Sequence, residues 1–247
     1  MRTTVRLASA ISALVSTLLI GSAALPSAVG HSPAHDIDLS KFNAQGVLHD
    51  DTARHVLTHP DKVLPGAQIV SEKGVYCSAG WIVDKHGERF VSTAAHCGEE
   101  GTRFGIVDRD GYWHEFGQVD QRFYGSGFDR SLIRVTDRER VQSRIPITNL
   151  AFGDAASSDY VARAQPTLCV LGQKSGLSCG PYTSTDEFGR VNFSAVAGHG
   201  DSGGPVFALD NGTLHPVGLL QGGYADQPVL ASQPLNGPLF DDAVIVH

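Results

Sequence analysis

From Ala67 onward, apolar residues come in short runs rich in β-branched and aromatic side chains, cut at close intervals by Gly, Asp and Asn. No stretch sustains the three-to-four-residue apolar spacing of an amphipathic helix, so the core must be built from strands and the fold class is all-β. Three hairpins can be read directly. Trp81-Ile82-Val83 and Phe90-Val91-Ser92 flank Asp84 to Gly87, and Phe104 to Val107 is joined to Tyr112 through Val119 across Asp108 to Gly111. Pro205 to Ala208 and Leu214 to Leu220 flank Asp210-Asn211-Gly212, where Asn-Gly favours a tight turn because both residues tolerate positive φ. At 247 residues and 41% hydrophobic content the chain can bury a substantial core. A small-residue stretch near 153–160, with Ser157-Ser158-Asp159, is the best candidate for a connection between two β halves.

The N-terminal 30 residues follow another pattern. Arg2 and Arg6 precede an uncharged apolar run from Leu7 to Ile20, and small residues follow as far as Gly30. This reads as a secretory signal peptide over 1–30, with cleavage after Ala24 or Gly30 both allowed by the small-residue rule. The run is short for a bilayer span, so no stable membrane anchor is expected after cleavage. Residues 31–66 hold five histidines (His31, His35, His49, His55, His59) and little apolar periodicity, the pattern of an N-terminal extension, either propeptide-like or a wrap-around arm. The histidines lack ligand spacing and are read as solvated rather than metal-binding. Domain organisation is therefore expected as 1–30, 31–66 and 67–247.

The whole chain carries a net charge of −7; beyond residue 30, 17 basic residues face 26 acidic ones, giving −9. Such a balance disfavours nucleic acid and anionic membranes as partners. Cys77, Cys97, Cys169 and Cys179 are an even number in an exported chain, which favours two disulfides and leaves three pairings open. No Cys-x-x-Cys accompanies them, and neither a metal nor a cofactor is called for.

The most specific segment is Gly200-Asp201-Ser202-Gly203-Gly204-Pro205. At about 6% per position, its chance occurrence in a chain of this length is on the order of 1 in 100,000. Glycines on both sides let the backbone fold tightly round an exposed hydroxyl, so that the amides of Gly200 and Ser202 can point at a developing oxyanion. A serine hydroxyl attacks only when a base takes its proton. Of eleven histidines, His96 in Thr93-Ala94-Ala95-His96-Cys97 stands out because it follows an expected strand beside a cysteine that could anchor it. The base needs a carboxylate to hold its tautomer. Asp108, Asp120 and Asp137 compete for that role, but Asp129 opens the apolar strand Phe128 to Val135, and a strand fixes position better than a loop. Activity is then expected to rise between about pH 6 and 8, as imidazole loses its proton.

These three segments, in the order His, Asp, Ser, resemble the trypsin and chymotrypsin family of serine peptidases. Tyr76 to Trp81 and Cys169 to Gly180 are similar to its compact secreted bacterial branch, the streptogrisin-like proteases. The resemblance covers about residues 67–247. It implies two packed six-stranded antiparallel β-barrels with the site in the cleft between them, and the pairings Cys77 with Cys97 and Cys169 with Cys179. It further implies a secreted serine endopeptidase acting on protein or peptide substrates, with His96, Asp129 and Ser202 as triad and a monomeric chain.

Two departures matter. Gln221 stands where relatives carry serine, while Gly222 and Gly223 leave room for an extended substrate strand. Val196 lies six residues before Ser202, where trypsin-like enzymes hold an acid, so an apolar or small substrate side chain is expected unless Asp186, Glu187 or Asp226 approaches the pocket. Ile69-Val70 looks like the start of an activated chain that would pair with Asp201, but clipping there is not favoured. The alternative reading is a secreted binding protein on a catalytically weak protease scaffold.

Overall fold

The computed structural model describes residues 47–223, 229–237 and 239–247. The expected signal peptide, residues 31–46, Asp226 and Pro238 lie outside them. In chain order the elements are β1 (Leu48–Asp50), α1 (Arg54–Leu57), β2 (Gln68–Ser71), β3 (Tyr76–Ser78), β4 (Ile82–Lys85), β5 (Glu88–Thr93), β6 (Arg103–Val107), β7 (Trp113–Gly125) and β8 (Phe128–Val135). Then follow β9 (Ala151–Phe152), α2 (Ser158–Ala164), β10 (Thr167–Gly172), β11 (Gly176–Gly180), β12 (Tyr182–Thr185), β13 (Val191–Ser194), β14 (Pro205–Asp210), β15 (Thr213–Gly223), β16 (Val229–Pro234) and β17 (Ala243–Ile245).

The expected hairpins are present. β4 and β5 turn at His86-Gly87 and β14 and β15 at Asn211-Gly212, each with two successive positive φ values (52° and 82°, 48° and 77°). That is the turn whose twist matches the twist of paired strands.

The strands form two curled sheets. The first runs β17-β4-β5-β8-β7-β6-β2-β3, and the second runs β1-β11-β10-β14-β15-β16-β13-β12 with β9 beside β15. Described pairings are antiparallel except β9 with β15 and the single bridge Val63↔Val141. The sheets hold eight and nine strands rather than six each; β1 and β17 come from the two ends of the described chain and β9 from the connection between the sheets. Side-chain alternation explains why the central strands read as unbroken apolar runs. In β4, β5 and β8, Ile82, Val91 and Ile133 fill the first barrel, while their neighbours Val83, Phe90 and Leu132 face a second core. In the second sheet, Val206, Ala208 and Leu220 fill their own barrel and Phe207, Leu171 and Leu219 join that same second core. The two sheets are thus glued through a shared apolar layer, with Trp81 inside it donating from Nε1 to Gly218 O at 2.9 Å.

Three features go beyond the sequence reading. Residues 47–66 are built into the domain: β1 pairs with β11, and Ala53, Leu57 and Val63 are fully buried. The stretch near 153–160 starts a short helix, α2, whose N-cap Ser157 accepts from Tyr160 N. At seven residues it is too brief to show helical periodicity. The end of the chain makes β17 against β4, with Val246 N bonded to Ile82 O.

Candidate active site

The first sheet supplies the imidazole and the carboxylate. β5 ends at Thr93, whose Oγ1 donates to Ser78 O, and the chain turns through Ala95–Cys97 with His96 at its centre. Cys97 is tied to Cys77 in β3, so the turn is anchored from both sides. Asp129, 3% exposed, lies in β8 beside β5, two residues before the Thr93↔Ser131 rung. Its Oδ1 accepts from His96 N at 2.9 Å and its Oδ2 lies 2.6 Å from His96 Nδ1. A carboxylate at Nδ1 places the ring proton there and leaves Nε2 as the free lone pair of the neutral ring. Arg122, stacked on Tyr124, donates to Ala95 O at 3.0 Å and Ser131 Oγ donates to Ala94 O, holding the turn from the other side. Two sulfurs lie close to His96, but both belong to the disulfide and offer no thiolate to a metal.

Ser202 sits on the turn before β14. Gly200 and Gly203 have φ of +105° and +84°, as the sequence reading requires of a tight turn. Gly203 packs so closely on the segment leading to His96 that a Cβ would fall 2.1 Å from Thr93 Oγ1 and 2.7 Å from Ala94 N. Ser202 O accepts from Ser78 N at 2.8 Å. The turn's own hydrogen bonds use the amides of Asp201, Gly203 and Gly204, and not those of Gly200 and Ser202.

Asp201 is buried. Its Oδ1 accepts from Lys174 N (2.7 Å) and Ser175 N (3.1 Å), and its Oδ2 from Gly198 N (2.7 Å). Three amides thus occupy the carboxylate that a clipped amino terminus would otherwise meet, and Ile69 and Val70 run unbroken through β2.

The specificity candidates are spread along the second sheet. Val196 is 42% exposed, its amide bonded to Ser178 Oγ at 2.8 Å. Gln221 sits at the bulge between Leu220 and Gly222, and its Oε1 accepts from Arg190 (3.1 Å) and from Gln233 Nε2 (2.8 Å). Gln233 also donates to Gly127 O, at the turn before Asp129, so Gln221 connects the second sheet to the strand of the carboxylate. Asp186 is committed to Arg190 at 2.5 Å. Gly222 and Gly223 close the exposed end of β15. Arg122, Arg190 and Gln233 carry no local motif, and Ser78 lies in the Tyr76–Trp81 segment without a role of its own in the sequence reading; long-range pairing brings all four here.

No protein-family model matches the chain, and no curated protein is similar to it in sequence. Solved structures are similar in fold. Thermobifida fusca protease A superposes with a TM-score of 0.55 at 23% identity, covering 75% of this chain and 100% of that one. The fold is that of the chymotrypsin-like double barrel. Nocardiopsis protease (TM-score 0.53, 22% identity, 71% and 93% covered) and Cellulomonas bogoriensis chymotrypsin (0.51, 21%, 71% and 92%) share it. The chain is a protease-fold protein with two disulfides, Cys77–Cys97 and Cys169–Cys179. Among the described residues no helix is long and apolar enough to cross a membrane.

Proposed function

We propose that this protein is a secreted serine endopeptidase with Ser202 as nucleophile, His96 as general base and Asp129 as orienting carboxylate. The observation that carries the reading is the two-point contact of buried Asp129 with His96 N and Nδ1, opposite a serine on a glycine turn packed against Thr93 and Ala94. Ser202 Oγ attacks the peptide carbonyl and passes its proton to His96 Nε2; the imidazolium so formed is stabilised by Asp129. The oxyanion is received by the amides of Gly200 and Ser202, each worth about 2.7–4 kcal/mol of barrier. His96 returns the proton to the leaving amine, and water attacks the acyl-enzyme through the same base. The substrate lies extended along Gly222 and Gly223, and Val196 favours an apolar or small side chain in the pocket.

Export is supported by the N-terminal pattern and by two disulfides, which persist in oxidising surroundings. The mature chain acts as a monomer on protein or peptide substrates. The test is labelling by a fluorophosphonate probe at about pH 8, where imidazole is neutral. Labelling that disappears in Ser202→Ala supports the assignment. An unlabelled, folded, disulfide-bonded protein would overturn it in favour of a binding protein.

A further inference from the structure

Asp201 is a buried carboxylate adjoining Ser202, and the groups that hold it lead away from the cleft to the N-terminal arm. Two of its three donors, Lys174 N and Ser175 N, belong to the β10–β11 turn. The arm grips that turn at several points. β1 pairs with β11 in the register Leu48↔Cys179, His49↔Ser178 and Asp50↔Leu177. His49 Nε2 donates to Ser175 O at 2.5 Å, so the residue whose amide holds Asp201 has its carbonyl held by the arm. Thr58 shares its hydroxyl proton between Arg54 O (2.9 Å) and Gln173 O (3.3 Å). Gly176 lies flush against the arm, where a Cβ would come within 2.5 Å of Asp50 O.

From the turn, two routes reach the proposed oxyanion amides. One is the Asp201 carboxylate. In the other, Gln173 N donates to Ser78 Oγ (3.0 Å), which donates to Gly200 O (2.9 Å) and so fixes the Gly200–Asp201 peptide plane, which lies between the two proposed amides. A further route reaches the pocket: Ser178 Oγ donates to Leu48 O (3.1 Å) and accepts from Val196 N (2.8 Å). Ala53 and Leu57 are buried with Leu171, Leu177 and Cys179, which keeps the arm seated. A buried carboxylate deprived of two donors cannot stay where it is, and the loop it braces moves with it.

We infer that residues 48–58 are a positioning arm of the catalytic unit and not a removable lead-in, and that His49 and Ser178 are positioning residues, His49 holding the Gly200–Ser202 loop through the β10–β11 turn and Ser178 holding Val196 beside it. The inference rests on the assignment of Ser202 as nucleophile. Releasing the arm would leave a folded protein with an unreactive serine.

The test uses the full chain. His49→Ala with Ser178→Ala is compared with wild type for fluorophosphonate labelling, for kcat and KM on a small ester, and for thermal midpoint. The expected result is a loss of about 10–100-fold in labelling rate and kcat, short of the 10²–10³ seen when an oxyanion donor is removed outright. KM should move far less, the fold should persist, and His49→Gln with Ser178→Thr, which keep the donors, should recover most of the rate. Wild-type rates in the double alanine variant would overturn the inference. As a second measurement independent of those variants, a specific protease site is placed at the exposed pair Asp61-Lys62 and cut after folding. Loss of labelling on release of the arm, restored by a synthetic peptide of residues 47–60, supports the inference; undiminished labelling overturns it. Failure of the Ser202 assignment looks different, since wild type itself would then not label, or would label equally in Ser202→Ala.

Discussion

The two sides of the proposed site are held in different ways. His96 lies on the turn that follows β5 and Asp129 lies in the neighbouring strand β8, and their contact is set by the β5–β8 ladder, with Thr93 opposite Ser131. Ser202 lies on a turn between strands, braced by Ser78 from the first sheet, by Leu220 O from β15 and by the β10–β11 turn through Asp201. A pair set by a ladder is robust to distant change, whereas a loop set by ties from several segments inherits the mobility of each. Chemistry on the first side should therefore fail only on direct substitution, and on the second side it should fail from a distance as well.

The sharpest way to break the comparison is Asp129→Asn. It leaves the strand pairing intact but presents the wrong group to Nδ1, and kcat should fall by about 10⁴ with the thermal midpoint little changed. Next is Gly203→Ala, which strains a positive φ and drives Cβ into Thr93 Oγ1, Ala94 N and Ser78 O. The expected cost is about 3 kcal/mol in urea unfolding, with labelling lost as well. Gly212→Ala has the same sign of φ but open space around its Cβ, and should cost only about 1–2 kcal/mol and leave activity alone.

Gln221→Ala removes the acceptor shared by Arg190 and Gln233 while leaving the Gln233–Gly127 bond. The loss of about 1 kcal/mol of hydrogen bonding should raise KM roughly fivefold and alter kcat less, since no reacting atom is touched. Steady-state kinetics on a peptide substrate will separate the two.

The smallest effect concerns Asp84 and Arg89, opposite each other in the β4–β5 hairpin and bonded at 2.8 Å. The Arg89 side chain holds the Asp84 carboxyl below its ordinary 3.8, against the opposing effect of partial burial. A depressed carboxylate adds stability above its unfolded value and loses it as pH falls through the folded one. Arg89→Ala should thus cost less than about 1 kcal/mol at neutral pH, since solvent screens this half-exposed pair. The difference from wild type should vanish near pH 2, as urea midpoints at the two pH values will show.

What could be read beforehand was local. His86-Gly87 and Asn211-Gly212 announce their hairpins because two-residue turns demand positive φ, and the Gly200–Pro205 segment announces a tight turn around Ser202 for the same reason. What could not be read depends on distance along the chain. His49 meets Ser175 from 126 positions away, and Gln233 meets Gly127 from 106. β1 and β17 are three residues each, with no alternation long enough to reveal a face. The acid missing at Val196 was legible, but the tie from its amide to Ser178 was not.

The strand exchange at the two ends of the described chain bears on how the protein is made. β1 precedes the first sheet in sequence but belongs to the second, and β17 follows the second but belongs to the first, with Ala243 opposite Lys85. During synthesis, therefore, the nascent first sheet keeps an open edge at β4 until residues 243–245 have left the ribosome. An exposed edge is a template for wrong pairing. A variant lacking residues 243–247 would keep that edge unprotected and open to wrong pairing.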